Sequence, residues 1–313
     1  MSEPSRTDRL EITAYLVDEA IKGRLVVFVG AGCSRHAGLP GWEELLVNIQ
    51  GEHTELRLEN YLDWAQNIEL EIGRNEFRTR LIEQMTLALD TVSDYHKSIA
   101  GLPTNLFLTT NYDHLLEDAL VELGYETNVI FEQGRLPSLV PTEKTVVKIH
   151  GDVSVPDSVV ITTEDYSTYP KARCAFDDFL KSRFAEKTIL FLGTSFDDPR
   201  LRKPNDEIFN LFGDDRREAV LVVKRPSSED PRERAEFDYK CKYFSKKRFR
   251  IIEIDNYDEI ASLCREISEA FEKKSIRDAS YPAIARLRSV LEVVQNALLK
   301  KVISQFRSQY DGK

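Results

Sequence analysis

Residues 25–41 read LVVFVGAGCSRHAGLPG. The apolar run Leu25 to Val29 breaks into Gly30-Ala31-Gly32-Cys33-Ser34, and a helical pattern begins at Trp42 after Gly38-Leu39-Pro40-Gly41. A short β-branched run bounded by glycines reads as a strand buried on both faces. Glycines past its end let the chain turn sharply and let a large group come close. Bare N–H groups at a helix start attract phosphate. The stretch therefore predicts a strand–loop–helix unit that holds a nucleotide. It is not the ordinary dinucleotide fingerprint, because the third glycine of G-x-G-x-x-G falls at Arg35.

Outward from this unit, residues 7–22 read as a helix with Leu10, Ala14, Val17 and Ile21 on one side. Residues 42–103 carry apolar residues at helical spacing and no strand, which predicts a helical insertion over the site. Strands are expected at Leu106–Thr110, Thr127–Phe131, Thr145–Ile149, Thr188–Leu192, Ala219–Val223 and Arg250–Ile254, with a short extended piece at Val159–Thr163. Helices are expected at His114–Leu123, Cys174–Ala185, around Ile208, Leu211 and Phe212, and at Asp258–Phe271, whereas Ser227–Arg234 reads as a polar loop. Strands alternating with helices predict an α/β fold with a doubly wound, mostly parallel sheet. Ligands in such folds sit beyond the carboxyl ends of the strands. Four strands here end in polar clusters: Gly30–Ser34, Thr109–Asp113, His150–Asp152 and Gly193–Ser195. Past Lys273, a stripe of Ile284, Leu287, Leu291, Val294 and Leu298 predicts a C-terminal helical tail. Its spacing fits equally a helix docked on the domain and an oligomer or partner contact. The organisation expected is thus a ligand-binding domain over residues 1–273 and a helical extension over 274–313.

The chain has 313 residues, 42% hydrophobic and 31% charged, which suits a globular protein with a sizeable core. A net charge of −10 argues against direct binding to nucleic acid or an anionic membrane, which basic patches drive. No run approaches the roughly 18 apolar residues of a membrane helix, and residues 1–16 lack a signal-type apolar core. The expected location is the cytoplasm. Cys33, Cys174, Cys241 and Cys264 lack zinc-ribbon spacing, and the histidines add no ligand pattern, so no metal is expected. Cys33 has no evident base and reads as a packing residue.

The motifs GAGCS, GLPGW, TTNYD, KIHGD and LGTS occur in that order at Gly30–Ser34, Gly38–Trp42, Thr109–Asp113, Lys148–Asp152 and Leu192–Ser195. In kind and order they resemble the sirtuin family. The missing zinc ribbon, Thr110 in place of glutamine, and Gly41-Trp42-Glu43 depart from the protein deacylases. With ITTEDYSTYP at 161–170 and LFLGTSFDDP at 190–199, they resemble the bacterial anti-phage branch that hydrolyses NAD. That resemblance implies a Rossmann-like domain and NAD as substrate, without a metal. It also implies a partner or homo-oligomer as trigger, by analogy a helicase-type ATPase or an Argonaute-like protein. The cofactor-binding set it implies is Gly30, Ala31, Gly32, Ser34, Leu39, Thr109, Gly193, Thr194 and Ser195.

The chemistry expected at these positions follows from residue type. Cleaving the N-glycosidic bond develops oxocarbenium charge on ribose while nicotinamide leaves as a neutral group. Asn111 both donates and accepts, so it can hold a ribose hydroxyl or a water. His150 can take a proton near neutral pH. Asp113 can orient ribose or favour the developing cation, or cap the following helix. Asn111 as a helix cap, His150 as a structural residue and Gly193-Thr194-Ser195 as a plain turn are the competing readings. A protein deacylase with the same Asn111 and His150, and a non-catalytic nucleotide-binding module, are the alternative functions.

Overall fold

The computed structural model describes residues 6–51, 56–86, 92–196, 198–228 and 230–277. The chain divides into two units, Met1–Ser268 and Glu269–Lys313. The apolar stripe from Ile284 to Leu298 lies outside the described residues.

Seven strands form one parallel sheet: β1 (Leu25–Val29), β2 (Leu106–Thr109), β3 (Thr127–Ile130), β4 (Lys144–Lys148), β5 (Thr188–Leu192), β6 (Ala219–Lys224) and β7 (Phe249–Ile254), in the order β3-β4-β2-β1-β5-β6-β7. Val27 pairs with Phe107 on one side and Leu190 on the other. Every residue of β1, β2, β4 and β5 is buried, while the edge strand β3 is mostly half-buried. Continuous apolar strands are what a sheet covered on both faces requires. From β1 the chain first builds β2, β4 and β3, then returns to lay β5 on the opposite side. The switch point, and hence the ligand crevice, therefore falls between β1 and β5.

The helices of the first half are α1 (Arg6–Ile21), the short turn α2 (Ala31–Ser34), α3 (Trp42–Gln50), α4 (Tyr61–Ile72), α5 (Arg74–Thr86), α6 (Asp94–Ala100) and α7 (Leu115–Glu122). The predicted face of α1 is partly misplaced: Val17 is buried and Ile21 half-buried as expected, but Leu10 and Ala14 are exposed, and Ile12, Leu16 and Ala20 turn inward instead. A better i, i+4, i+8 stripe simply starts two residues later. Helices α3, α4 and α5 share their own core, Leu46, Ile49, Trp64, Ile68, Phe77 and Leu81, with Tyr112, Val153, Val159 and Ile161 from the strand-end loops. Arg78, itself buried, joins the two parts by donating to Val159 O (3.0 Å) and Asp165 Oδ2 (2.7 Å).

The second half carries α8 (Thr163–Ala172), α9 (Cys174–Glu186), α10 (Pro199–Phe212), α11 (Pro231–Lys246) and α12 (Asp258–Arg277). The piece at Val159–Thr163 is extended at Val159 and Thr162 without joining the sheet, and Thr163 already belongs to α8. Residues 156–158 make a 3-10 turn, and Thr162 with Asp165 forms a capping box that opens α8. Residues Ser227–Arg234 are not all loop either: Asp230 accepts from Arg232 N and starts α11 with proline in its first turn. That helix escapes periodicity because Phe244 is its one fully buried residue. In α10, Leu201 and Ile208 face the core while Leu211 and Phe212 are exposed.

Candidate active site

Gly30-Ala31-Gly32 follows β1, and Gly193-Thr194-Ser195 follows β5, so the two loops meet at the switch point. Gly30 N donates to Leu192 O and Gly32 N to Gly193 O, both at 2.8 Å. A Cβ on Gly30 would lie 2.6 Å from Gly193 O, and one on Gly32 2.8 Å from it. The glycines that suggested room for a ligand are thus needed first for the neighbouring strand end. Their N–H groups are spent there. Thr194 Oγ1 accepts from Phe196 N (3.2 Å), which leaves its proton for a ligand.

A cleft of about 700 Å3 opens above these loops, a volume suited to a molecule of dinucleotide size. Gly30, Ala31, Gly32, Ser34, Leu39, Asn111, Asp113, His150, Gly193, Thr194 and Ser195 all line it. Thr109 does not. It lies behind the wall, where its hydroxyl donates to Val29 O (2.8 Å) and accepts from Asn111 N (2.9 Å). It thereby ties the Asn111 loop to β1.

Asn111 Nδ2 donates to Ser34 Oγ (2.8 Å), and Ser34 Oγ donates to Asp113 Oδ2 (2.7 Å). Asp113 Oδ1 accepts from Leu115 N (3.1 Å). Asp113 therefore takes the first N–H of α7 with one oxygen and holds Ser34, and through it Asn111, with the other. Asn111 Oδ1 is buried and has no hydrogen-bond partner among the described residues. A buried polar atom without a partner is costly unless something else supplies one. His150 is buried, its Nε2 lies 3.4 Å from Asp198 Oδ2, and Tyr166 and Tyr169 meet the ring edge-on. Burial lowers its pKa, with Asp198 pulling the other way and Arg173 and Arg200 reinforcing the fall. Burial also pushes the Cys33 thiol up to about 12, which makes it an inert packing group.

Residues 105–252 match the model of the SIR2-like domain. The chain is 31% identical over 284 residues to the NAD(+) hydrolase ThsA of Enterococcus faecium, covering 82% of this chain and 58% of that protein. It is 29% identical over 273 residues to the NAD(+) hydrolase ThsA of Acinetobacter baumannii (strain 532279), covering 83% and 56%. Defense-associated sirtuin 2 of Bacillus subtilis is 26% identical over 201 residues, 60% of this chain and 20% of that protein.

The chain carries a SIR2-like domain.

It spans little more than half the length of the ThsA relatives it matches. The family's histidine-glycine motif sits here on a buried ionic frame that motif reading passes over. Lys148, at the end of β4, is fully buried. Its Nζ donates to Tyr112 O (3.0 Å) and Asp113 O (2.7 Å), and lies 2.9 Å from Glu117 Oε1 and 2.6 Å from Asp152 Oδ2. Asp152 Oδ1 in turn meets His114 Nε2 at 2.7 Å. One cation thus fastens the Asn111 loop to the His150 loop. Burial works against the Lys148 charge, but the two carboxylates outweigh it and raise its pKa. Gly151 has φ +89°, and a Cβ there would lie 2.0 Å from Ser158 O, so the histidine needs glycine beside it.

Sequence reasoning also missed Asp198, Tyr166, Trp42 and Tyr61, which line the same cleft. For Asp198 the available signal was Asp-Pro, a helix start immediately after a strand-end loop. The aromatic residues carry no local signal, because only the docking of α3, α4 and α8 brings them to the cleft. Among the described residues there is no cluster of His, Cys, Asp and Glu able to hold a metal, and no helix is long and apolar enough to cross a membrane.

Proposed function

We propose that this sirtuin-like chain hydrolyses NAD to nicotinamide and ADP-ribose, and that it serves as an NAD-depleting effector in anti-phage defence. The observation that carries the reading is Asn111. Its amide nitrogen is held by Ser34, and its carbonyl oxygen is buried in the cleft wall with no partner among the described residues. A ribose hydroxyl would supply that partner. The names of the relatives, NAD(+) hydrolase and defense-associated sirtuin, support the same substrate and setting.

In this reading the Thr194 and Ser195 hydroxyls hold the pyrophosphate side of the substrate, and Asn111 fixes the ribose. The bond from C1′ to the nicotinamide nitrogen breaks, and its electron pair leaves with neutral nicotinamide. Water adds to C1′, and His150 takes the proton that the water releases. Asp113 acts through Ser34, and its charge favours the cationic ribose. A partner or an assembly supplies the trigger that keeps such an enzyme silent at rest.

The test is to incubate the full chain, alone and with its operon neighbours, with NAD and with or without an acetyl-lysine peptide. Products are resolved by chromatography. Nicotinamide released without peptide is expected, and Asn111→Ala and His150→Ala each abolish it while circular dichroism is unchanged. Release that requires peptide would instead mark a deacylase, and full turnover by Asn111→Ala would overturn the site.

A further inference from the structure

We propose that Asp198 is the positioning residue of His150: it holds the imidazole as the tautomer with the proton on Nε2, which leaves Nδ1 as the basic atom. This rests on His150 acting as the base. Among the described residues, the charged oxygen that stands beside the buried Nε2 of His150 is Asp198 Oδ2, 3.4 Å away and not hydrogen-bonded to it in the free chain. The nitrogen that a carboxylate faces carries the proton, and the other is then the acceptor. Distances of this order in a free enzyme shorten when substrate closes the site.

Asp198 is itself fixed. Its Oδ1 accepts from Arg200 N (2.8 Å) as the N-cap of α10. The Tyr166 hydroxyl reaches the same carboxylate, and burial raises the pKa of that tyrosine, so it stays a neutral donor. Oδ1 thus serves the helix, and Oδ2 is the oxygen that faces the histidine. Among the described residues, the other charged groups that face His150 are Arg173 and Arg200, both of which disfavour a second proton on the ring. Asp198 opposes them, so the ring can accept a proton from water, and the imidazolium formed is paired with a carboxylate.

The division of labour makes Asp198→Asn informative. Asparagine caps helices as well as aspartate does, so its oxygen stays on Arg200 N. Its amide then points at Nε2 as a donor, and Nε2 must accept. The proton moves to Nδ1, and Nδ1 is no longer basic. Asp198→Asn is expected to lower kcat for NAD cleavage by about 100-fold or more, the range in which positioned proton transfer contributes, with KM and melting temperature little changed. Asp198→Glu restores part of kcat. The 15N shifts of His150 report a switch from the Nε2-protonated to the Nδ1-protonated tautomer. The acid limb of kcat/KM moves to lower pH in Asp198→Asn, because the carboxylate that favoured the imidazolium is gone.

His150→Ala is measured beside it. If His150→Ala is inactive and Asp198→Asn is fully active with an unchanged tautomer, the positioning role is wrong and the base stands. If His150→Ala is active, the base reading itself fails. A lower kcat in Asp198→Asn accompanied by an equal fall in melting temperature and no change of tautomer assigns Asp198 to the helix cap alone and overturns the proposal.

Discussion

Replacing Lys148 by methionine keeps the unbranched stem, one atom shorter, and removes one charge from the frame beneath the site. The ammonium is fully buried and has four oxygens around it: Asp152 Oδ2 at 2.6 Å, Asp113 O at 2.7 Å, Glu117 Oε1 at 2.9 Å and Tyr112 O at 3.0 Å. Without it, two buried carboxylates lack a counter-charge and two main-chain carbonyls lose a donor. Removing one partner of a buried ion pair costs about 3–5 kcal/mol. At about 2–4 °C per kcal/mol for a domain of this size, the melting temperature should fall by about 6–20 °C. The sign with pH follows from Asp152. Burial raises its pKa, but the His114 hydrogen bond and the Lys148 charge outweigh burial and hold the carboxyl well below its usual range. A depressed carboxylate contributes stability above its unfolded pKa of about 3.9 and loses it as pH falls. Lys148→Met removes part of that depression, so the gap between wild type and variant narrows in acid. Thermal unfolding followed by circular dichroism at about pH 7.5 and about pH 3 reads both effects. The combination Lys148→Met, Glu117→Gln and Asp152→Asn should regain much of the loss, since a fully neutralised buried network is often near neutral in cost. A loss below about 1 kcal/mol at neutral pH, within the range of an exposed pair, or a gap that widens in acid, would refute the frame.

Ser34→Ala removes the hydroxyl between the Asn111 amide and the Asp113 carboxylate. A hydrogen bond to a charged group is worth about 1.5–3 kcal/mol, so kcat should fall about 10- to 100-fold while the melting temperature changes little; an unchanged kcat in steady-state NAD turnover would show that Asn111 needs no such support. Gly151→Ala forces a side chain onto positive φ and against Ser158 O, and should cost about 3 kcal/mol or more; chemical denaturation with a wild-type midpoint would contradict it. His150 is held below its ordinary pKa chiefly by burial. A base works deprotonated, so the acid limb of kcat/KM should lie below about pH 6.5, and a limb above neutrality in a pH–rate profile would exclude His150 as that base.

How much of this could be read from the chain depends on how local each signal is. The apolar runs at Leu25–Val29 and Thr188–Leu192 become central strands because strands sealed on both faces have no alternating pattern to misread. Asn111 and His150 are legible through motif order. Helix α8 was hidden because Val159-Val160-Ile161 looks like a strand until the capping pair Thr162 and Asp165 is noticed. Helix α11 was hidden because it buries too little to leave a stripe.

The sequence by itself determined the α/β class, the strand ends that carry polar groups, and the family to which those motifs belong. These depend on periodicity and on residue type, which are properties of short stretches. Only the tertiary structure decided that Gly30 and Gly32 must be glycine because Gly193 lies against them, since that contact joins strands distant in sequence and adjacent in the sheet. It decided equally that Thr109 supports the wall instead of lining it, that Lys148 binds the two loops together, and that Asp198 stands beside His150. Hydrogen bonds and ion pairs act over a few ångströms, so their partners are set by how the strands are ordered, which no stretch of residues states.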